Sequence, residues 1–126
     1  MNKPCKRMLV VSIGVDYEGN EHKASNGGKD CLDIPGHCGC THAEINMLDG
    51  MKHPEFVYLT HSPCINCAFA LYRAGVKGVY YLNPYRLRDG IDFLKHHHIQ
   101  VNQIIEPNLR KQWKEKLNEN LSTERI

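Results

Sequence analysis

The chain has 126 residues, 41% of them hydrophobic and 24% charged, with a formal net charge of +2. That length suits one domain, 1–126, with a real core, and the near-neutral balance gives no reason to expect a polyanionic partner. No stretch approaches the roughly 20 apolar residues of a membrane span, and "MNKPCKRMLVV" lacks the apolar region of a secretory signal, so a cytoplasmic protein with no membrane partner and six reduced cysteines is expected.

In chain order, Met8 to Val15 is an apolar run that predicts a buried strand. "EGN" is a Gly-containing turn, and Glu21 to Ser25 a more polar return strand. "GGKDCLDIPGHCGC" has no period and reads as a loop. Thr41 to about Lys52 predicts a helix with Ile45 and Leu48 on one face. The strand "EFVYLT" follows, then a helix from Pro63 to Ala74 closed by Gly75 in the left-handed conformation. "VKGVYYL" is a strand, Asp89 to about His98 a third helix, and "IQVNQII" a fifth strand. Pro107 suits the first turn of a last helix, in which Leu109, Trp113, Leu117 and Leu121 make an apolar stripe. The basic residues of "LRKQWKEKL" are a solvated helix face, and Trp113 is that helix's core anchor. Strands joined by helical crossovers predict an α/β fold: a five-stranded mixed sheet, an antiparallel hairpin first and the remaining strands mainly parallel.

"CTHAEINML" and "THSPCINCA" each open a predicted helix. Local chemistry alone accounts for both as helix starts. Thr41 and Glu44 fit a capping box, and Ser62 with Pro63 fits an N-cap followed by proline. A metal site adds constraints that capping does not need. Cys64 and Cys67 share a helix face in a first turn, where the helix dipole favours thiolate. His42 lies in the first turn of another helix, and both starts should emerge at the C-terminal edge of the sheet, where ligands bind in such folds. One imidazole and two thiolates are three ligands for zinc, with a position left for water, the pattern of a catalytic site. Glu44, two residues past a ligand, is near enough to move a proton without binding the metal.

These residues follow the H-x-E…P-C-x-x-C pattern of zinc deaminases. Together with "HAEINML", "YLTHSPCINCAFALYRAGVKGVYY", "NPYRLRDGIDFLKHHHIQV" and "SNGG", they resemble the zinc-dependent cytidine/deoxycytidylate deaminase superfamily, and within it the deoxycytidylate (dCMP) deaminases. The resemblance implies a three-layer cytidine-deaminase-like fold with helices on both faces. It implies zinc held by His42, Cys64 and Cys67, hydroxide on that zinc attacking C4 of a cytosine, and Glu44 carrying protons to N3 and to the departing ammonia. It implies substrate contacts from Asn26 and Tyr85 and from the backbone at Ala43, His61 and Ser62. The expected reaction is dCMP to dUMP, in pyrimidine nucleotide metabolism, with a small pyrimidine nucleotide as the partner. The chain departs from the family in having no helix before the first strand. The face this leaves bare calls for the Trp113 helix or a second subunit, hence an expected homo-oligomer. Two alternatives stay open: a deaminase of a base in tRNA or single-stranded DNA, against which the charge and the single tryptophan weigh, and a non-catalytic zinc-stabilised module.

Cys5, Cys31, Cys38 and Cys40 remain, with His37 among them. They are either reduced thiols or the ligands of a second, structural zinc formed by Cys5, Cys31 and Cys38 with His37 or Cys40. Some deoxycytidylate deaminases have such a site, and Cys5 and Cys31 resemble its positions. His96, His97 and His98 are the polar end of the third helix, and His22 and His53 are surface residues.

Overall fold

A computed structural model describes residues 10–26, 42–84 and 88–124. Along them run β1 (Val11–Val15), β2 (Glu21–Ser25), α1 (Ala43–Gly50), β3 (Phe56–His61), α2 (Ile65–Arg73), β4 (Gly78–Asn83), α3 (Asp89–His96), β5 (Gln100–Gln103) and α4 (Pro107–Glu124). This is the predicted order, and the boundaries move by a few residues. Met8 and Leu9, expected in the first strand, lie outside the described residues.

The strands form one sheet in the order β2-β1-β3-β4-β5. β1 is antiparallel to both β2 and β3, whereas β3, β4 and β5 run parallel. The hairpin is thus grafted onto the parallel half through its first strand. The two crossovers β3-α2-β4 and β4-α3-β5 each join neighbouring parallel strands, so α2 and α3 run side by side with both N-termini at the C-terminal edge of β3 and β4.

Strand alternation divides the core into two layers. Val57, Leu59, Val79, Tyr81 and Val101 face α1–α3 and pack on Met47, Ala68, Leu71, Ile91 and Leu94. Val11, Ile13 and Leu82 face the other way, onto Leu117 of α4. On α1 the face differs from the predicted one: Ala43, Glu44 and Met47 are buried, while Ile45 is only half-buried. Met47 is the residue that reaches the sheet, against the open backbone of Gly14.

α4 covers the second face of the sheet. Trp113 stacks on Tyr58 with centroids 3.7 Å apart and planes 7° off parallel, and Tyr58 stacks on Tyr80 at 5.3 Å. Such pairs add about 0.5–1.5 kcal/mol beyond the area they bury. Lys116 lies over the Trp113 ring at 4.4 Å and pairs with Glu21 at 2.8 Å, and Lys23 donates to the Lys116 carbonyl, so α4 is fastened across β2. The predicted stripe holds at Trp113 and Leu117, but Leu109 is exposed, because α4 reaches the sheet only after its first turn.

α2 ends as expected. Gly75 is left-handed at φ 84°, its N–H donates to the Tyr72 carbonyl at 3.1 Å, and the Val76 N–H donates to Leu71 at 3.3 Å. α3 ends in the same motif with no glycine: His98 has φ 64°, His98 N–H donates to Lys95 at 3.0 Å, and Ile99 N–H to Leu94 at 3.0 Å. A side chain in that region costs about 1–2 kcal/mol, part of which glycine loses again through its freer unfolded chain. His98→Gly is therefore expected to raise the thermal midpoint by roughly 2–5 °C, the equivalent of about 1 kcal/mol. A lower midpoint would show that the imidazole makes a contact worth more than the strain.

Candidate metal centre

Chain turns at one edge of the sheet bring together residues far apart in sequence. α1 starts there because Ser12, fully buried on β1, donates its hydroxyl to the Ala43 carbonyl at 3.0 Å. α2 starts there because β3 delivers it. His61 pairs with Asn83 across β3 and β4, and the ladder runs one residue further, with Ser62 N–H donating to the Asn83 carbonyl at 3.0 Å.

That extra rung corrects the predicted cap of α2. Ser62 is still held by the sheet and cannot be an N-cap; the N-cap is Cys64, with no side-chain capping bond, and its carbonyl takes the first helical N–H, from Ala68, at 2.8 Å. Cys67 is then at the third helical position. α1 is similar. Its N-cap is His42, also without a side-chain cap bond, and the His42 carbonyl accepts from Asn46 at 3.0 Å. The capping-box reading of Thr41 with Glu44 gives way to this start, and Thr41 lies outside the described residues. Both helices thus place a metal-ligand type of side chain where a capping oxygen usually sits.

His42, Cys64 and Cys67 converge. The His42 Nδ1 is 3.1 Å from the Cys67 Sγ and 3.5 Å from the Cys64 Sγ, and the three ligand atoms lie within 4.8 Å of one another. Tetrahedral zinc with bonds of about 2.0–2.3 Å keeps its ligand atoms roughly 3.3–3.8 Å apart, so the donor set fits that ion in kind and in spacing. Among the described residues this is the cluster of His, Cys, Asp or Glu side chains that can share a metal.

The electrostatics agree. The hydrogen bond from Cys67 is the main cause that brings the Cys64 thiol down to about 4, with His42 helping, while burial works against it. Cys67 moves up, because it keeps its proton against the Cys64 thiolate and is itself buried. Without metal the pair therefore holds one proton, which a metal would displace. Glu44 is only 4% exposed, and its carboxyl is pushed up to about 7, chiefly by burial and in part by the Cys64 charge, while its own backbone N–H and His42 oppose the shift. His61, half-buried, is lowered by desolvation.

Val10, Asn26, His42, Ala43, Glu44, His61, Ser62 and Cys64 line one pocket over these groups. The structure thus places Asn26, Ala43, His61 and Ser62 in the same pocket as His42 and Cys64. Asn26 is buried, and its Oδ1 accepts from Val10 N–H at 2.8 Å while its own N–H donates back to the Val10 carbonyl at 2.9 Å. Tyr85, Cys5, Cys31, His37, Cys38 and Cys40 lie outside the described residues. Sequence reasoning passed over Val10, Ser12 and Thr60. The Thr60 hydroxyl accepts from Val11 N–H at 3.0 Å and meets His61 Nδ1 at 3.1 Å, joining β1 to the pocket wall. A buried hydroxyl in an apolar strand, as at Ser12 in "VSIGV", was the available signal.

Residues 1–83 match the family described as the cytidine and deoxycytidylate deaminase zinc-binding region. The ComE operon protein 2 of Bacillus subtilis (strain 168) is 36% identical over 92 residues, 64% of this chain but 45% of that protein, so the chain spans less than half of that relative. The dCMP deaminase of cyanophage S-TIM5, solved in complex with dCMP and dUMP, is 34% identical and superposes with a TM-score of 0.69 over 79% of this chain and 84% of its own. A diaminohydroxyphosphoribosylaminopyrimidine deaminase/reductase of Thermotoga maritima shares the fold alone, at 15% identity and a TM-score of 0.61 over 88% of this chain and 35% of its own. With about two thirds of the chain matched to that zinc-binding region, the chain belongs to the cytidine and deoxycytidylate deaminase family.

Proposed function

We propose that the protein is a zinc-dependent hydrolase that converts dCMP to dUMP with release of ammonia. The observation that carries this reading is the meeting of His42, Cys64 and Cys67 beside a buried carboxylate, in a pocket whose lining mixes apolar and polar groups. His42, Cys64 and Cys67 would hold the zinc, which when bound would supply the Lewis acidity that lowers the pKa of water toward neutrality. Glu44 would accept a proton at its carboxylate from the water whose oxygen bonds to C4, give it to N3 of the pyrimidine, take the second proton from that oxygen and pass it to the amino group, so that the C4–N bond breaks and ammonia leaves. A carboxyl whose proton affinity burial has brought near neutrality can do both. Asn26 would meet the sugar or phosphate, with Tyr85 near the nucleotide, while backbone groups at Ala43, His61 and Ser62 would read the base. The substrate assignment leans on the likeness to the cyanophage dCMP deaminase. A second zinc on Cys5, Cys31 and Cys38 with His37 or Cys40 belongs to the same proposal.

The test is an ammonia-release screen of zinc-loaded protein over dCMP, CMP, dCTP, deoxycytidine and single-stranded DNA, with metal content measured on the same sample. Turnover is expected to be fastest with dCMP. Preference for single-stranded DNA would move the assignment to polynucleotides, and no ammonia from any of them would leave a zinc module without catalysis. A zinc content near two per chain supports the second site, and a value near one removes it.

A further inference from the structure

We propose that Arg110, on α4 and beyond the residues the family profile matches, is a positioning residue for the nucleotide pocket, acting through Asn83 and Ser62. The guanidinium sits where the parallel strands end. Its Nη1 donates to the Leu82 carbonyl and to the Ile104 carbonyl at 3.0 Å, and its Nη2 donates to the Asn83 Oδ1 at 2.7 Å. Gln103 adds a second donor to the Leu82 carbonyl at 3.1 Å. Carbonyls at the end of a ladder lack the partner that the next rung would have supplied. A planar fork of N–H groups can serve several of them together, from one rigid side chain, as an ammonium cannot.

Asn83 is the link to the pocket. Arg110 holds its side chain, and its backbone carbonyl receives the Ser62 N–H at 3.0 Å. Ser62 is 4% exposed and lines the pocket between His61 and Cys64. This is the rung that keeps Ser62 on the sheet and delays the start of α2 until Cys64. Arg110 itself is well placed to hold a position. The Glu106 carboxylate accepts the Asn108 and Leu109 N–H groups at 3.1 and 2.7 Å, Arg110 N–H donates to the Glu106 carbonyl at 2.8 Å, and one turn on Trp113 is stacked against Tyr58. α4 therefore braces the pocket edge from the opposite face of the sheet.

The test has two arms, of which only the second rests on the function proposed above. In the first, amide hydrogen exchange is compared in zinc-loaded wild type, Arg110→Met, Arg110→Lys and Asn83→Ala. Arg110→Met is expected to speed exchange at Ser62 by about tenfold or more while the Val76 and Ile99 amides, at the far ends of α2 and α3, keep wild-type rates. Asn83→Ala should reproduce the loss, and the double variant should add little to it, the mark of one coupled contact. Arg110→Lys keeps the charge but not the fork and should resemble Met. In the second arm, losing a pocket wall that touches ground and transition states alike should raise KM about five- to tenfold with kcat within about twofold and zinc content unchanged. Unchanged exchange at Ser62, or equal loss at every amide, overturns the positioning role. If the wild type deaminates nothing, the functional reading fails and the exchange arm still decides for or against Arg110.

Discussion

Glu44→Gln is expected to lower deamination by about 10²–10⁴-fold while leaving zinc content and fold intact. Glutamine fills the same volume and keeps an oxygen for the backbone N–H that the carboxylate now accepts, but it cannot cycle a proton near neutral pH. Stability gives an independent reading of the same side chain. In the metal-free protein, burial holds Glu44 at about 7 against an ordinary 4.5. A carboxyl raised in the folded state binds a proton that the unfolded chain has already lost, so metal-free wild type should lose stability as the pH rises from about 4.5 through about 7. Glutamine removes that slope, so metal-free Glu44→Gln should melt higher than metal-free wild type at pH 8 and equally at pH 4. An active Glu44→Gln enzyme, measured as ammonia released from dCMP, would falsify the assignment of this residue to proton transfer. A Glu44→Gln protein that binds no zinc would instead place Glu44 among the ligands.

The element order could be read from sequence because each element carries its own local signal. Gly75 stops α2 where a left-handed residue is needed, and Ile91 with Leu94 keeps the helical period that α3 buries. The His42, Cys64 and Cys67 set was legible for a related reason: few arrangements of those residue types at helix starts make sense apart from a metal. What could not be read depends on partners distant in the chain. The start of α2 looked like Ser62-Pro63 because capping is local, whereas the bond that overrides it comes from Asn83, on another strand. The buried face of α1 centres on Met47 rather than Ile45 because Gly14 of β1 leaves room beneath that sulfur. Arg110 read as part of a solvated basic face, since nothing in "LRKQWKEKL" says that β4 and β5 end beside it. His98 carried no signal for positive φ, because that conformation is ordinarily glycine's.

Gly90→Ala is the second large effect, and its sign runs against helix propensity. Gly90 is the second residue of α3, where alanine would ordinarily gain about 1 kcal/mol. Here a Cβ would stand 2.2 Å from the Pro63 carbonyl oxygen, 2.8 Å from that of Cys64 and 2.9 Å from the Cys64 carbonyl carbon. These are backbone atoms and have no rotamer into which to retreat. Either α3 lifts from α2, opening the contact that Ile91 and Leu94 share with Leu71, or the start of α2 moves and takes Cys64 away from His42 and Cys67. Both routes cost stability, about 1–3 kcal/mol for a forced methyl in a packed contact, and the second also weakens zinc. Gly90→Ala should therefore melt roughly 3–10 °C lower, and hold zinc about 10–100-fold more weakly in competition with a chelator, because the ligand it displaces sits on the backbone it strikes. Gly50→Ala is the matched control. Its Cβ also meets atoms at 2.1 Å, but they belong to the His22 ring, a side chain that can swing aside, and the site is not in contact. That variant should melt lower by a smaller amount and keep its zinc affinity. Equal zinc affinities for the two variants would mean that close packing of α3 on α2 does not set the position of Cys64.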